Sequence, residues 1–312
     1  MDKMMNAMLI EAFGGPDVLR WQKISVPKPR EGEVLLKIRA ASVNPVDYKI
    51  RSGKYPAVKA NMLPYVLGRD VCGDVEACGP GVTAFAEGAP LYAFLGIDRG
   101  GYAEYVVVKE SEASSKPTVL DHPSAAAVPL AGLTAWQGLF RYGGLQSGQR
   151  VLIHAGSGGV GHFAIQFAKA RGAHVITTVS EQSVDFVRKL GADEVIDYKK
   201  QRFENEVQDV DVVFDLIGGE TQDRSWRVLK KGGILVSTLS PPSQEKASAH
   251  GVRGTRYTAE SNASELAEIA GLIDAGTVKP AISKTFALSD AALALQIVEQ
   301  GHTQGKVVLT ID

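Results

Sequence analysis

Apolar positions fall into two textures along the chain. From about residue 121 onward, short continuous apolar runs alternate with stretches whose apolar residues recur at helical spacing. The runs at 151–154 (VLIH), 174–179 (HVITTV), 194–198 (EVIDY), 211–217 (DVVFDLI) and 233–239 (GILVSTL) predict strands, and 160–171, 182–190 and 221–230 predict the helices between them. A strand covered on both faces reads as an unbroken apolar run. Strand and helix alternating at this spacing imply right-handed crossovers and a parallel sheet, whose ligands bind at the carboxyl ends of the strands. Residues 1–118 read instead as β-rich. Strands are predicted at 34–40 and 102–108, with glycine and proline punctuating the rest at Gly14-Gly15-Pro16, Pro27, Pro29, Gly79-Pro80-Gly81 and Gly100-Gly101. The texture changes near Asp121-His122-Pro123-Ser124. Beyond the alternating region, 241–251 (PPSQEKASAHG) is polar and irregular and is expected to be a mobile loop. A helix at 264–275, an extended stretch near 280–287, a helix at 288–300 and a last strand at 306–311 follow.

One junction in this pattern carries chemistry. After the run at 151–154 comes AGSGGVG at 155–161, then a helical stretch with Phe163, Ile165, Phe167 and Ala168. Strand, tight turn and helix hold Gly156, Gly158 and Gly161 in G-x-G-x-x-G register. The first glycine permits the turn, the second lets backbone approach a pyrophosphate, and the third lets helix pack on strand. Ser157, Gly159 and Val160 complete the turn, and the following helix offers its N-terminal N–H groups to phosphate. This points to a dinucleotide. The same run fits a glycine-rich turn without ligand, or a methyltransferase with a related turn.

Composition narrows the picture by exclusion. The chain has 312 residues, 45% hydrophobic and 22% charged, with a formal net charge of -1. That is an ordinary globular balance for two domains or one large one, with no basic stripe to suggest nucleic acid and no charge block for an anionic membrane. No apolar run approaches the roughly 18 residues of a membrane-spanning helix, and the methionine-rich start (Met1, Met4, Met5, Met8) lacks the features of a signal peptide. Cys72 and Cys78 make no disulfide framework and read as packed thiols, so a reducing compartment, the cytoplasm, is expected.

Several ordered motifs together resemble the medium-chain dehydrogenase/reductase superfamily, in its zinc-free NADPH:quinone oxidoreductase and alkenal reductase branch. They are AMLIEAFGGP at 7–16, NPVDYKIRSG at 44–53, GRDVCG at 68–73, AGLTA at 131–135, the glycine turn, and GKVVL at 305–309. The resemblance covers essentially the whole chain. It implies an α/β fold: a Rossmann doubly wound parallel sheet at 121–257, and a GroES-like β-rich substrate domain made of 1–120 together with 258–312.

Zinc-dependent relatives hold their catalytic metal with a cysteine, a histidine and a second cysteine at places that here carry Asn44, Arg69 and Leu130. A catalytic zinc site needs about three such protein ligands. The four clustered cysteines of a structural zinc lobe are missing as well. His122, His154, His162, His174, His250 and His302 are scattered, with no pair at ligand spacing, and His154 reads as a satisfied histidine ending a buried strand. No metal is therefore expected. Without a Lewis acid to stabilise an alkoxide, reduction of an electrophilic acceptor is favoured over oxidation of a simple alcohol.

The resemblance also assigns cofactor residues. NAD-specific domains place an acid at the end of the second strand, against the ribose 2′-OH. Ser180 stands there, with Glu181 adjacent. Tyr198 ends the third strand beside Lys199 and Lys200, matching the tyrosine that relatives set against the adenosine phosphate. The two lysines fit a solvated turn equally, and Arg188 on the intervening helix is a weaker candidate. NADP(H) is therefore expected over NAD(H). Leu216, Ile217 and Gly218 close the fourth strand toward the nicotinamide end. Thr134 is assigned to the phosphate or carboxamide region, and Lys306 to a tail segment that relatives bring back to the cofactor, though an exposed lysine with no role fits Lys306 equally.

On the proton side, typical quinone reductases carry a tyrosine two places after the aspartate of N-x-x-D. Here the order is Asp47-Tyr48-Lys49, so Lys49 occupies that place, a form found among alkenal reductases and reticulon-interacting-protein relatives. An ammonium is a strong partner for a developing oxyanion. Catalytic candidates are thus Lys49, Tyr48 and Asn44, the last assigned to substrate or nicotinamide ribose and also well suited as an N-cap. Lys49 as a surface helix lysine, with solvent as the proton source, fits the same residues. The expected activity is hydride transfer to quinones or α,β-unsaturated carbonyls. Enoyl-thioester reduction, or an NADPH-binding structural or regulatory role with little turnover, are the alternatives. A homodimer is a further expectation.

Overall fold

The computed structural model describes residues 3–301 and 303–311, and divides into two units. His302 lies outside the described residues. One unit is built from Ala131–Glu260 with Thr277–Lys279; the other runs to Leu130 and is completed by Ser261–Gly276 and the stretch from Pro280.

In the first of these, six strands form one sheet in the order Glu194–Asp197, His174–Val179, Arg150–His154, Val210–Asp215, Leu229–Ser237, Arg253–Arg256, every pairing parallel. The order reverses beside Arg150–His154, and that reversal is where a doubly wound sheet opens its ligand crevice. Val151, Leu152, Ile153 and His154 are all fully buried, as their unbroken apolar run requires. The helix Gly161–Ala170 packs nearly its whole length, from Gly161 to Ala168, into the interior.

Three sequence expectations need correction. The stretch 241–251 is not a loop. Ser243 caps a helix, Gln244–His250, by accepting from the Lys246 N–H, and Gly251 ends it at φ +63°. Arg253–Arg256 then adds a sixth strand that the pattern did not predict, because an edge strand with exposed ends has no need of apolar residues. The helix expected at 221–230 runs Gly219–Ser225, gives way to a 3-10 turn at Trp226–Val228, and the next strand already begins at Leu229.

The other unit holds a seven-stranded sheet. Its order is Ile282–Ala287, Lys306–Thr310, Glu33–Val43, Asp70–Cys78, Pro90–Phe94, Ala113–Ser115, with Tyr105–Lys109 also on Glu33–Val43. A three-stranded sheet orders Leu19–Ser25, Met4–Ile10, Tyr65–Val66. Leu36, Ile38, Leu67, Leu91 and Leu309 are fully buried in the core, each worth roughly 1.5–3 kcal/mol over exposure. Two registers position the polar residues of this unit. Lys306–Thr310 runs antiparallel to Glu33–Val43 with Val307 opposite Val43, and Asp70–Cys78 runs antiparallel to it with Asp70 opposite Ser42. They bring Lys306 and Asp70 to the end of the strand from which Asn44 begins the helix Pro45–Arg51. Both thiols are free, Cys72 buried and Cys78 partly so, and burial raises both above the ordinary thiol range. Among the described residues, no helix is long and apolar enough to cross a membrane.

Candidate functional site

In the β-rich unit the chemistry-bearing side chains converge on Asp70, which has no exposed surface. Its Oδ2 accepts from the Ser42 hydroxyl at 2.6 Å and from Asn44 Nδ2 at 2.8 Å, and its Oδ1 accepts from the Leu130 N–H at 2.7 Å. The Lys306 ammonium lies 3.7 Å from Oδ2 and donates to Asn44 Oδ1 and to the Val43 carbonyl at 3.4 Å. Both ends of the Asn44 amide are thus committed inside the unit. Asn44 does sit at the N-cap of its helix, but its side chain makes no cap bond; instead Asp47 Oδ2 accepts the Asn44 N–H at 2.8 Å. Asp47 also accepts from the Tyr102 hydroxyl at 2.9 Å, while its Oδ1 is buried without a partner. Burial outweighs these donors and lifts the Asp47 carboxyl to about 7. Burial likewise pulls Lys306 below the usual lysine range, against the pull of Asp70 and Asp47. Arg69 donates from Nε and Nη2 to the Leu95 carbonyl and lies 5.0 Å over the Phe94 ring.

Tyr48 and Lys49 follow on the same helix and are half-buried. Tyr48 packs against the core, and burial raises its hydroxyl above the usual phenol range. The sequence signals for Asn44 and Lys306 therefore lead to one cluster. Asp70, Asp47 and Tyr102, which hold that cluster, were not among the predicted residues. A carboxylate inside the apolar strand LGRDVC was the available signal for Asp70.

In the α/β unit the glycine turn follows strand Arg150–His154. A Cβ at Gly156 would lie 2.0 Å from Thr177 Oγ1, and one at Gly161 would lie 2.2 Å from the Ala155 carbonyl, so packing alone demands both glycines. Gly158 differs. A Cβ there meets only the Ala155 carbonyl, at an ordinary 3.4 Å. Nothing in the protein requires that residue to be bare, and a phosphate laid against the turn would. The residues fit a dinucleotide on this ground. Ser157, Gly158, Gly159 and Val160 remain partly accessible.

The flanking segments are fixed by single polar hubs. Asp215, fully buried, accepts from the Ile217 and Gly218 N–H groups at 3.0 and 2.8 Å, and from Gln222 Nε2 and the Ser237 hydroxyl at 2.9 Å each. This folds Leu216–Ile217–Gly218 back across the strand end, with Gly218 at φ +75° and Ile217 half exposed. At the other flank Tyr198 donates its N–H to the Val179 carbonyl at 3.1 Å, which sets it beside Ser180 with its own side chain exposed. Glu181 is turned to Lys200, at 2.6 Å. Arg188 and Lys199 are both exposed. Thr134 is buried, and its carbonyl accepts from the Tyr257 hydroxyl.

Comparison with known proteins adds the relatives. Residues 30–118 match the alcohol dehydrogenase GroES-like domain and residues 190–309 the zinc-binding dehydrogenase family. The chain is 37% identical to NAD(P)H oxidoreductase RTN4IP1, mitochondrial, of Mus musculus, over 98% of this chain and 89% of that one. It is 38% identical to the NADPH-dependent alkenal/one oxidoreductase, chloroplastic, of Arabidopsis thaliana, over 98% and 80%. The solved quinone oxidoreductase of Coxiella burnetii superposes with a TM-score of 0.94 at 36% identity, over 99% of this chain and 100% of that one.

Proposed function

The chain belongs to the medium-chain dehydrogenase/reductase superfamily, among quinone oxidoreductases and alkenal reductases, and on that premise we propose that it is an NADPH-dependent reductase of quinones and α,β-unsaturated carbonyls. The observation that carries the reading is Gly158, bare where packing does not ask for it. Gly156 to Gly161 would hold the pyrophosphate, Ser180 and Tyr198 the adenosine phosphate, and Leu216, Ile217, Gly218 and Thr134 the nicotinamide end. Bound there, the nicotinamide supplies hydride to an electron-poor carbon. Lys49 meets the charge that develops on the acceptor oxygen, as the half-buried cation of its helix. Asn44 and Lys306 act through each other, since their polar atoms are already joined.

Zinc has no part in this reading. The places of its ligands in zinc-dependent relatives hold an amide, a guanidinium and a leucine. The carboxylate beside them, Asp70, is surrounded by N–H and O–H donors rather than by lone pairs. Two free thiols suit a reducing compartment, and the cytoplasm remains the expectation. A homodimer through the edge strand Arg253–Arg256 completes the reading.

A steady-state screen of quinones and enones with NADPH and NADH, alongside elemental analysis, tests it. Turnover of quinones or enones with NADPH, without stoichiometric zinc, is the expected result. Turnover confined to enoyl thioesters, NADPH binding without turnover, or one tightly held zinc lost together with activity overturns it.

A further inference from the structure

His154 ends the central strand of the α/β unit with no exposed surface, and both ring nitrogens are engaged. Nε2 faces the Ser225 hydroxyl at 2.9 Å and Nδ1 faces the Thr178 hydroxyl at 3.1 Å. The directions follow from the neighbours. Ser225 already donates its hydroxyl proton to the Thr221 carbonyl at 2.7 Å, so its oxygen accepts from His154 and the imidazole hydrogen sits on Nε2. Nδ1 is then bare and accepts from Thr178. The Thr178 oxygen in turn accepts the Ala155 N–H, at 3.4 Å. Every donor in this chain points one way, from Ala155 through Thr178, His154 and Ser225 to Thr221, an arrangement whose members polarise one another. The ring stays neutral: burial pulls it to about 4, the Arg224 guanidinium adds to that, and Asp215 and Glu204 oppose it.

The two ends of the chain are the two backbone segments flanking the proposed cofactor cradle. Ala155 opens the glycine turn at φ +56°, a left-handed conformation that a non-glycine residue keeps only where its surroundings hold it. Ser225 ends the helix Gly219–Ser225, which starts from the Asp215-anchored loop. We propose that His154 is a positioning residue for cofactor binding, holding Ala155 in its left-handed conformation through Thr178 and tying the glycine turn to the helix that follows the Leu216–Gly218 loop. This rests on the reading of the turn as a phosphate cradle.

The test uses the full chain and a fluorescence titration with NADPH, with thermal unfolding to confirm folding. Thr178→Val removes the hydroxyl at nearly constant shape. It should raise the NADPH Kd about tenfold and KM for NADPH with it, while kcat at saturation changes by less than about twofold. Thr178→Ser keeps the hydroxyl and should bind as wild type. Ala155→Gly added to Thr178→Val should return the Kd to within about threefold of wild type, because glycine takes positive φ unaided. A merely structural role would not respond to that second change. Should Thr178→Val fail to fold, Ser225→Ala, which cuts the far end of the chain, should show the same loss and the same rescue. Wild-type NADPH binding with variants that bind equally well, or a loss that glycine at 155 does not repair, overturns the inference. A wild-type chain that binds neither NADPH nor NADH overturns the functional reading and this inference together.

Discussion

The two units place their polar chemistry in opposite ways. In the β-rich unit, side chains of catalytic type are drawn inward and bond one another: Asp70 takes Ser42, Asn44, the Leu130 N–H and the Lys306 ammonium, and Asp47 takes Tyr102. In the α/β unit, the candidate binding surface is mostly backbone, a turn of glycines and a strand-end loop, and the buried polar groups (Asp215, His154) work behind it. A residue type suited to chemistry is therefore not by itself a sign of contact with substrate. Asn44 and Lys306 carry the resemblance to known reductases, yet their atoms are spent on each other. Lys49 stands outside that cluster, and in the proposed reaction its ammonium is kept for the acceptor.

The largest effect that could break this contrast is at Asp70. Asp70→Asn leaves the Lys306 ammonium buried without its counter-charge, and should cost about 3–5 kcal/mol of stability in denaturant unfolding. A loss below about 1 kcal/mol would mean the cluster is not a structural hub. A pH experiment sharpens the contrast at Asp47. Its carboxyl stands at about 7 in the folded chain, against roughly 4 when unfolded, so the folded state holds a proton that the unfolded state gives up. Stability from this group is present below about pH 4, falls as pH rises at up to about 1.4 kcal/mol per unit, and is flat above about 7. Asp47→Asn should remove that slope, and unfolding curves at several pH values would show whether it does.

On the side of chemistry, Lys49→Met should lower kcat on enones about 10–100-fold, the equivalent of a charged hydrogen bond worth about 1.5–3 kcal/mol. NADPH affinity should hardly change. Equal enone turnover would return Lys49 to a surface role and leave protonation to solvent. The smallest effect concerns the cofactor. NADPH should bind at least about tenfold more tightly than NADH, roughly 1.4 kcal/mol. Ser180→Asp should erase or reverse that preference by setting a carboxylate against the phosphate. Equal wild-type affinities would mean that Glu181, despite its pairing with Lys200, reads the ribose.

Legibility in the sequence followed the same divide. The parallel sheet could be read because strands buried on both faces are continuous apolar runs, and the turn because glycine spacing is local. The helix Gln244–His250 was missed although Ser243 and Gly251 are good start and stop residues, since its polar face swamped the short apolar signal. Arg253–Arg256 was missed because edge strands do not have to be apolar. The Asp70 cluster was out of reach for another reason. It joins residues 26 and 262 positions apart, and only the strand register brings them together.

That register has a consequence for how the chain is made. The strand Lys306–Thr310 is laid against Glu33–Val43, far upstream in the sequence. During synthesis the α/β unit, apart from Thr277–Lys279, emerges before residue 261 and can close on itself while the ribosome is still at work. The β-rich unit cannot. Until Lys306–Thr310 emerges, Asn44 and Asp70 wait without their cation, and the Ala40–Val43 end of the strand Glu33–Val43 lacks a partner on one side. The unit completed later is thus the one exposed longer to aggregation.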